Sequence, residues 1–191
     1  MGIEITSRTM APGTDMWGAG ITGVETFNRF FANSLTVGAG GASGTMRLSY
    51  FTPSATVTCS TVVACSGTTA AAATPTLIRF GFYTVAANGD ITLVASTPND
   101  TALFALTSTE YTKALSSAYT FIGGQRYAGA ILVISGTTLP SFIGQAASLP
   151  ISTIARGPRL NGFVTGQTDL PASVAAGSIG NGSSLPWIAV V

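Results

Sequence analysis

The chain has no histidine, and charge is scarce: 8 Lys and Arg and 7 Asp and Glu among 191 residues. Soluble domains give about a quarter of their residues to charged side chains. Histidine is the side chain whose ordinary pKa lies nearest neutrality, and with perturbed carboxylates it carries much of the proton transfer in enzymes. A chain without it holds no serine or cysteine nucleophile activated by histidine, including one on a G-x-S-x-G elbow. Composition therefore points to a binding or structural protein rather than an enzyme.

Clustered positive charge is missing as well. The formal net charge is +1 and the pI is near 7.8. Basic residues stand singly, apart from Arg156 and Arg159 around Gly157 and Pro158, which read as a solvated turn. Attraction to nucleic acid or to an anionic membrane depends on clustered Lys and Arg, so neither partner is expected. Mean hydropathy is high at +0.47, yet Thr, Ser and Gly interrupt every apolar stretch before the roughly 18–20 residues of a spanning helix. Glu4 and Arg8 sit where a signal peptide would be apolar, so no secretion signal is expected.

Cysteine is limited to Cys59 and Cys65. On one strand they would share a face but lie ~20 Å apart at about 3.3 Å per residue, whereas a disulfide needs Cα atoms within about 7 Å. Nothing between them favours a turn, so two reduced thiols and no disulfide are expected. Two cysteines without histidine also fall short of a zinc set. Asp90, Asp100 and Asp169 with Asn88, Asn99 and Asn161 offer oxygen atoms, but at no calcium-loop spacing, and Asn-Gly-Asp and Pro-Asn-Asp form turns first. No metal or other cofactor is expected. Glu4, Glu25 and Glu110 with the aspartates form no local carboxylate pair of the glycosidase kind.

What the chain has in abundance is strand signal. Helical periodicity is nearly absent, since Gly or Pro breaks every apolar pattern. In 75–85, Ile78, Phe80 and Phe82 alternate with Leu77, Arg79 and Tyr83, as in a half-buried strand. Asn88-Gly89 then makes a turn and 91–96 returns, so 76–96 reads as a β-hairpin. Further strands are expected at 46–51, 55–64, 110–114, 125–134, 141–144, 161–165 and 185–190. The run 125–134 is apolar on both faces after Tyr127, as a centrally placed, doubly covered strand would be. The fold class expected is all-β, an antiparallel two-sheet sandwich of jelly-roll type, with Phe80, Phe82, Leu93, Phe104, Tyr127, Ile131 and Val133 meeting in its core.

Residues 1–44 differ in character, with Gly-rich pieces and the crowded Phe27, Phe30 and Phe31. Two readings stand: an irregular N-terminal arm or attachment segment ending at a flexible stretch over 38–44, or a first strand and long loop of the same domain. A helical turn within 24–35, capped by Thr22 or Thr26, is a further expectation. The first reading divides the chain into an arm, 1–44, and a sandwich, 45–191. Aromatic faces stack on sugars, and ligand-binding candidates among loop aromatics and their polar neighbours are Trp17, Tyr83, Asn88 and Asp90.

The ordered phrases R-F-G-F-Y-T-V, N-G-D-I-T-L-V-A-S-T, Y-T-K-A-L, G-Q-R-Y-A and G-Q-T-D-L-P-A-S, spread over 79–173, resemble the C-terminal β-sandwich domain of minor tail and tail-fibre proteins of long-tailed actinobacteriophages. The likeness covers about residues 46–191. It implies a virion protein, homo-oligomeric and most simply a homotrimer, made in the host cytoplasm and facing the host envelope, with no catalytic residues. The expected function is a tail-fibre or tail-tip module that binds a host surface glycan and attaches to other virion structural proteins through residues 1–44. Only about 45 residues precede the domain here, so a capsid decoration protein clamping coat subunits is the alternative. A cell-wall glycan hydrolase ranks third. With so few Lys and Arg, a packed sandwich should resist trypsin; rapid digestion of the native protein to small fragments, followed on gels, would contradict it.

Overall fold

A computed structural model describes residues 23–28, 32–36, 42–69, 74–136, 138–146 and 159–191. Among these residues thirteen strands run in chain order: β1 (Val24–Glu25), β2 (Asn33–Thr36), β3 (Thr45–Phe51), β4 (Val57–Cys65), β5 (Pro75–Val85), β6 (Ile91–Ser96), β7 (Glu110–Phe121), β8 (Tyr127–Ser135), β9 (Ser141–Ala146), β10 (Asn161–Val164), β11 (Ser173–Val174), β12 (Ser184–Pro186) and β13 (Ala189–Val190). A 3-10 turn, Ala176–Ser178, accompanies them, and there is no α-helix among the described residues. The sheets have orders β10-β3-β8-β5-β6-β11, β1-β13-β4-β7 and β12-β9-β2. Each of these pairings is antiparallel. The protein is an all-β antiparallel sandwich, as its alternation patterns require, with a small third sheet beside the two main ones.

The expected hairpin over 76–96 forms from β5 and β6. Gly89 sits at φ +88° in its turn, a conformation open to glycine without a Cβ clash. On β5 the two faces separate as alternation dictates. Ile78, Phe80 and Phe82 join Phe51, Phe121, Tyr127, Ile131, Val133 and Ile188 between the two larger sheets. Tyr83 goes to a second core on the opposite face, with Met46, Leu48, Tyr50, Ile91, Leu132, Val164, Leu170, Val174 and Ile179. The six-stranded sheet is therefore covered on both sides. Its middle strand β8 shows the consequence: eight of its nine residues are buried, as the doubly apolar run predicts.

Leu93 is a correction to the expected core. It packs with the second cluster, while Ala95 two residues on belongs to the first. The pairings Phe82↔Ala95 and Tyr83↔Leu93 leave Val94 as an extra residue, a β-bulge. One inserted residue moves the rest of its strand to the other face of the sheet. Simple period-two counting from the sequence misses such an insertion.

Aromatic rings fill the first core. Phe121 meets Phe82 edge-on at 5.4 Å and Tyr127 at 5.1 Å, while Phe104 contacts Phe80, Tyr111 and Phe142 at 5.9, 5.4 and 4.7 Å. Phe104 has φ 60°, a left-handed conformation costly for a bulky residue. Its full burial among three rings holds it there.

The second core depends on how closely the segment after β10 lies on the sheet. A Cβ at Gly81 would stand 2.9 Å from Leu170 Cδ1, so β5 accepts that leucine only where it carries no side chain. Arg79 fastens the same segment, donating to Asp169 at 2.7 and 2.8 Å and to the Thr97 carbonyl at 2.9 Å.

Two stretches within residues 1–44 are strands of the sandwich. The β1 strand pairs with β13 and β2 with β9, so Val24–Glu25 and Asn33–Thr36 are extended, and the described residues of 24–35 hold no helical turn; residues 29–31 of that span lie outside the described residues. Thr26 caps no helix. Its hydroxyl donates to the Pro186 carbonyl at 3.2 Å and accepts from the Ile188 amide at 3.1 Å. Expected strand 110–114 continues to Phe121, and expected strand 185–190 divides into β12 and β13, which join different sheets. Cys59 is buried near one end of β4 and Cys65 lies at its other end.

Replacing Phe121 by alanine should lower the unfolding free energy by about 3–5 kcal/mol, since a large buried ring leaves a cavity in a rigid core. Outward-facing Thr112→Ala on the same strand should stay within about 0.5 kcal/mol. Urea titration followed by tryptophan fluorescence measures both.

Candidate functional site

One end of the six-stranded sheet carries a groove of about 520 Å³, lined by Tyr50, Arg126, Arg159, Ala176 and the 85–89 turn. That volume lies in the range of small-ligand sites, roughly 300–1,000 Å³. Strand alternation sends Tyr50 of β3 to the second-core face with Met46 and Leu48. Arg126 precedes β8, where its carbonyl accepts the Val85 amide at 3.2 Å. Arg159 comes just before β10, next to Leu160, whose carbonyl accepts the Tyr50 amide at 3.0 Å. Backbone pairing thus places all three side chains.

The groove's wall is the hairpin turn, held by its own hydrogen bonds. Asp90 N–H donates to Asn88 Oδ1 at 3.1 Å, and Asn88 Nδ2 donates to Asp90 Oδ2 at 2.7 Å. The other Asp90 oxygen accepts the Ala176 amide at 2.8 Å, which ties the turn to the 3-10 turn. That amide, with Asn88 adding to it, holds the Asp90 carboxyl below its ordinary pKa.

The charge in the groove is positive. The Arg126 guanidinium lies 5.3 Å from the centre of the Tyr50 ring, a cation–π distance, and donates to the Arg159 carbonyl. Arg159 donates to the carbonyls of Ile179 and Ala176. Among the described residues the ion pairs are Arg79 with Asp169 and Lys113 with Asp100, and neither groove arginine joins one. Burial pushes the Arg126 pKa down, with the nearby Tyr50 acting against it. Burial also pushes the Tyr50 phenol up, while Arg159 and Arg126 pull it down. Tyr50 is 5% exposed, and its hydroxyl has no hydrogen-bond partner among the described residues. Guanidinium groups donate and never accept, so neither arginine can take the phenol's proton. The arrangement suits a bound oxyanion.

Of the sequence candidates, Asn88 lines the groove and Asp90 braces its wall from behind. Tyr83 is a correction. It is fully buried, its hydroxyl donating to Met46 Sδ at 3.4 Å, and desolvation raises its pKa. Alternation on β5 sends it into the second core, where it meets no ligand from solvent. Trp17 lies outside the described residues, as does Arg156. Arg159, in sequence a member of a solvated turn, lines the groove. Sequence reasoning counts Tyr50 only among the aromatics able to stack on a sugar, most of them expected in core or interface, and passes over Arg126. Tyr50 carries one signal, a polar tip among the apolar partners of its strand face; nothing local marks Arg126.

Asp100 is held below its ordinary pKa chiefly by Lys113, with the Ala102 amide adding to it. Among the described residues, no group of three or more His, Cys, Asp or Glu is placed to hold a metal, and no helix is long and apolar enough to cross a membrane. The described lining of the groove contains no carboxylate.

No protein-family model matches the chain, and no curated protein matches it.

Both depressed carboxyls carry a sign. A group whose folded pKa is below its unfolded one stabilises above the unfolded value, and that contribution fades as pH falls through the folded one. The melting temperature should therefore hold down to about pH 5 and fall below about pH 4, near the unfolded aspartate value. In the Asp90→Asn/Asp100→Asn double variant the acid-side drop should be smaller. An unchanged drop in calorimetric scans would show that these two carboxylates do not govern it.

Proposed function

We propose that this chain is a non-enzymatic structural protein of a phage particle, a tail-fibre or tail-tip module whose sandwich binds a glycan on the host surface. The observation that carries the binding role is the groove itself: a largely apolar recess carrying two arginines, built from pairing-fixed positions of a sheet covered on both faces. Sites on such rigid scaffolds lose little entropy when a ligand is bound. The described lining offers donors and an aromatic ring and lacks a carboxylate, which suits recognition and gives glycan hydrolysis no acid or nucleophile there. The resemblance of residues 46–191 to minor tail domains supports the virion setting.

Assembly as a homotrimer belongs to the same proposal, with contact to the rest of the particle through residues 1–44, of which β1 and β2 also pair into the sheets. Strand β7 is the last of the four-stranded sheet, and Thr112, Ala114, Ser116, Ser117, Ala118 and Thr120 along it are exposed. Long edges of this kind pair readily with another chain. Low charge on the outer face reduces the desolvation that subunit contact would require.

Cryo-electron microscopy of purified virions, with the protein located by a specific antibody fragment, tests the reading. Density at the tail end with threefold symmetry is the expected result. Density spread over the capsid lattice would overturn it in favour of a decoration protein, and absence from the virion would overturn both.

A further inference from the structure

Resting on the surface-attachment reading, we infer that the groove at Tyr50, Arg126 and Arg159 selects an oxyanion carried on a saccharide, either a sugar carboxylate or a phosphate, over a neutral sugar. Three observations converge. Two guanidiniums line one recess without a carboxylate partner among the described residues. The phenol between their fields is more than nine-tenths buried and bonds to none of the described residues. All three groups can donate, and neither cation can accept the phenol's proton. A buried donor left without an acceptor is unfavourable. One ligand oxyanion in the recess would accept from the guanidiniums, in the charge-assisted bonds that arginine makes to carboxylate and phosphate. A side-chain shift that opens the phenol oxygen, closed off from solvent here, would let the same oxyanion accept from it.

Neighbouring groups set the rest of the specificity. The guanidinium of Arg159 is braced by the Ile179 and Ala176 carbonyls, so its charge is held in place and less side-chain freedom is lost on binding. Asn88 exposes an amide at the rim that is already oriented by Asp90, suited to a sugar hydroxyl. Asp90 keeps its negative charge, but it is not among the residues lining the groove, and its oxygens are turned to the Ala176 amide and Asn88.

The test is calorimetric titration of the full chain with D-glucuronate, sn-glycerol 3-phosphate and D-glucose, at low and at physiological salt. Binding of either anion, with glucose at least about tenfold weaker, is expected, since one charge-assisted contact is worth about that factor. Glucuronate alone would assign a sugar carboxylate and glycerol phosphate alone a phosphate. Arg126→Gln should weaken the bound anion about tenfold or more. Tyr50→Phe keeps both charges and the ring. It should weaken the anion while leaving the thermal midpoint unchanged or higher, because the hydroxyl it removes has no partner to lose. Glucose binding as well as the anions, no anion binding, or anion binding untouched by Tyr50→Phe would each overturn the inference. Its failure is separable from that of the attachment reading: tail-end density with no anion binding removes only the ligand class, and anion binding by a protein absent from virions removes only the setting.

Discussion

Strand β8 lies between β3 and β5 with core on both of its faces, and most of the architecture comes from keeping water off it. One face is closed by the aromatic layer shared with the four-stranded sheet. The other is closed, among the described residues, by a length of chain after β10 that contributes Leu170, Val174 and Ile179. A cover of this kind makes few backbone bonds to the sheet beneath and relies on close approach. Gly81 permits that approach under Leu170, and the Arg79–Asp169 pair, itself half in solvent, fixes its register. Exposed ion pairs contribute little to stability, so the role of this one is chiefly to place Leu170.

The groove exists where that cover ends. Tyr50 belongs to the covered face by alternation, and the space beside it is walled by the β5–β6 turn, Ala176 of the 3-10 turn and the two arginines. The same geometry that buries the phenol denies it an acceptor. Most buried polar groups in folded proteins are satisfied, and a site that binds something is a physical reason for one that is not. Asp90 links the two halves of the wall through the Ala176 amide, so one carboxylate shapes the recess and, with Asp100, contributes to the acid sensitivity of the fold.

Legibility in the sequence tracks the range of the forces involved. Local alternation announces the hairpin, the two faces of β5 and the double burial of β8, because those depend on residues two apart. Leu93 is misplaced by such counting because a bulge is an event of pairing, invisible from one strand alone. Tyr83 has the chemistry of a ligand-binding residue, and alternation sets it opposite Phe80 and Phe82; it is buried because the second core covers that face as well, which β5 alone does not announce. The groove is half visible: Asn88 and Asp90 stand out as turn formers, whereas Tyr50, Arg126 and Arg159 come from three distant parts of the chain and meet only through the β3–β8 and β3–β10 pairings. Charge scarcity hides them further, since isolated arginines suggest no cluster until the fold assembles one.

The latch at Thr26 has a mechanical meaning. Its hydroxyl bridges the Pro186 carbonyl and the Ile188 amide, and β1 beside it is only two residues long. Tension entering through the residues that precede β1 would meet this short strand and its single threonine before it reached any aromatic ring. The sandwich would then yield in stages under load, peeling at its rim while the groove at the far side of the doubly covered sheet kept its shape.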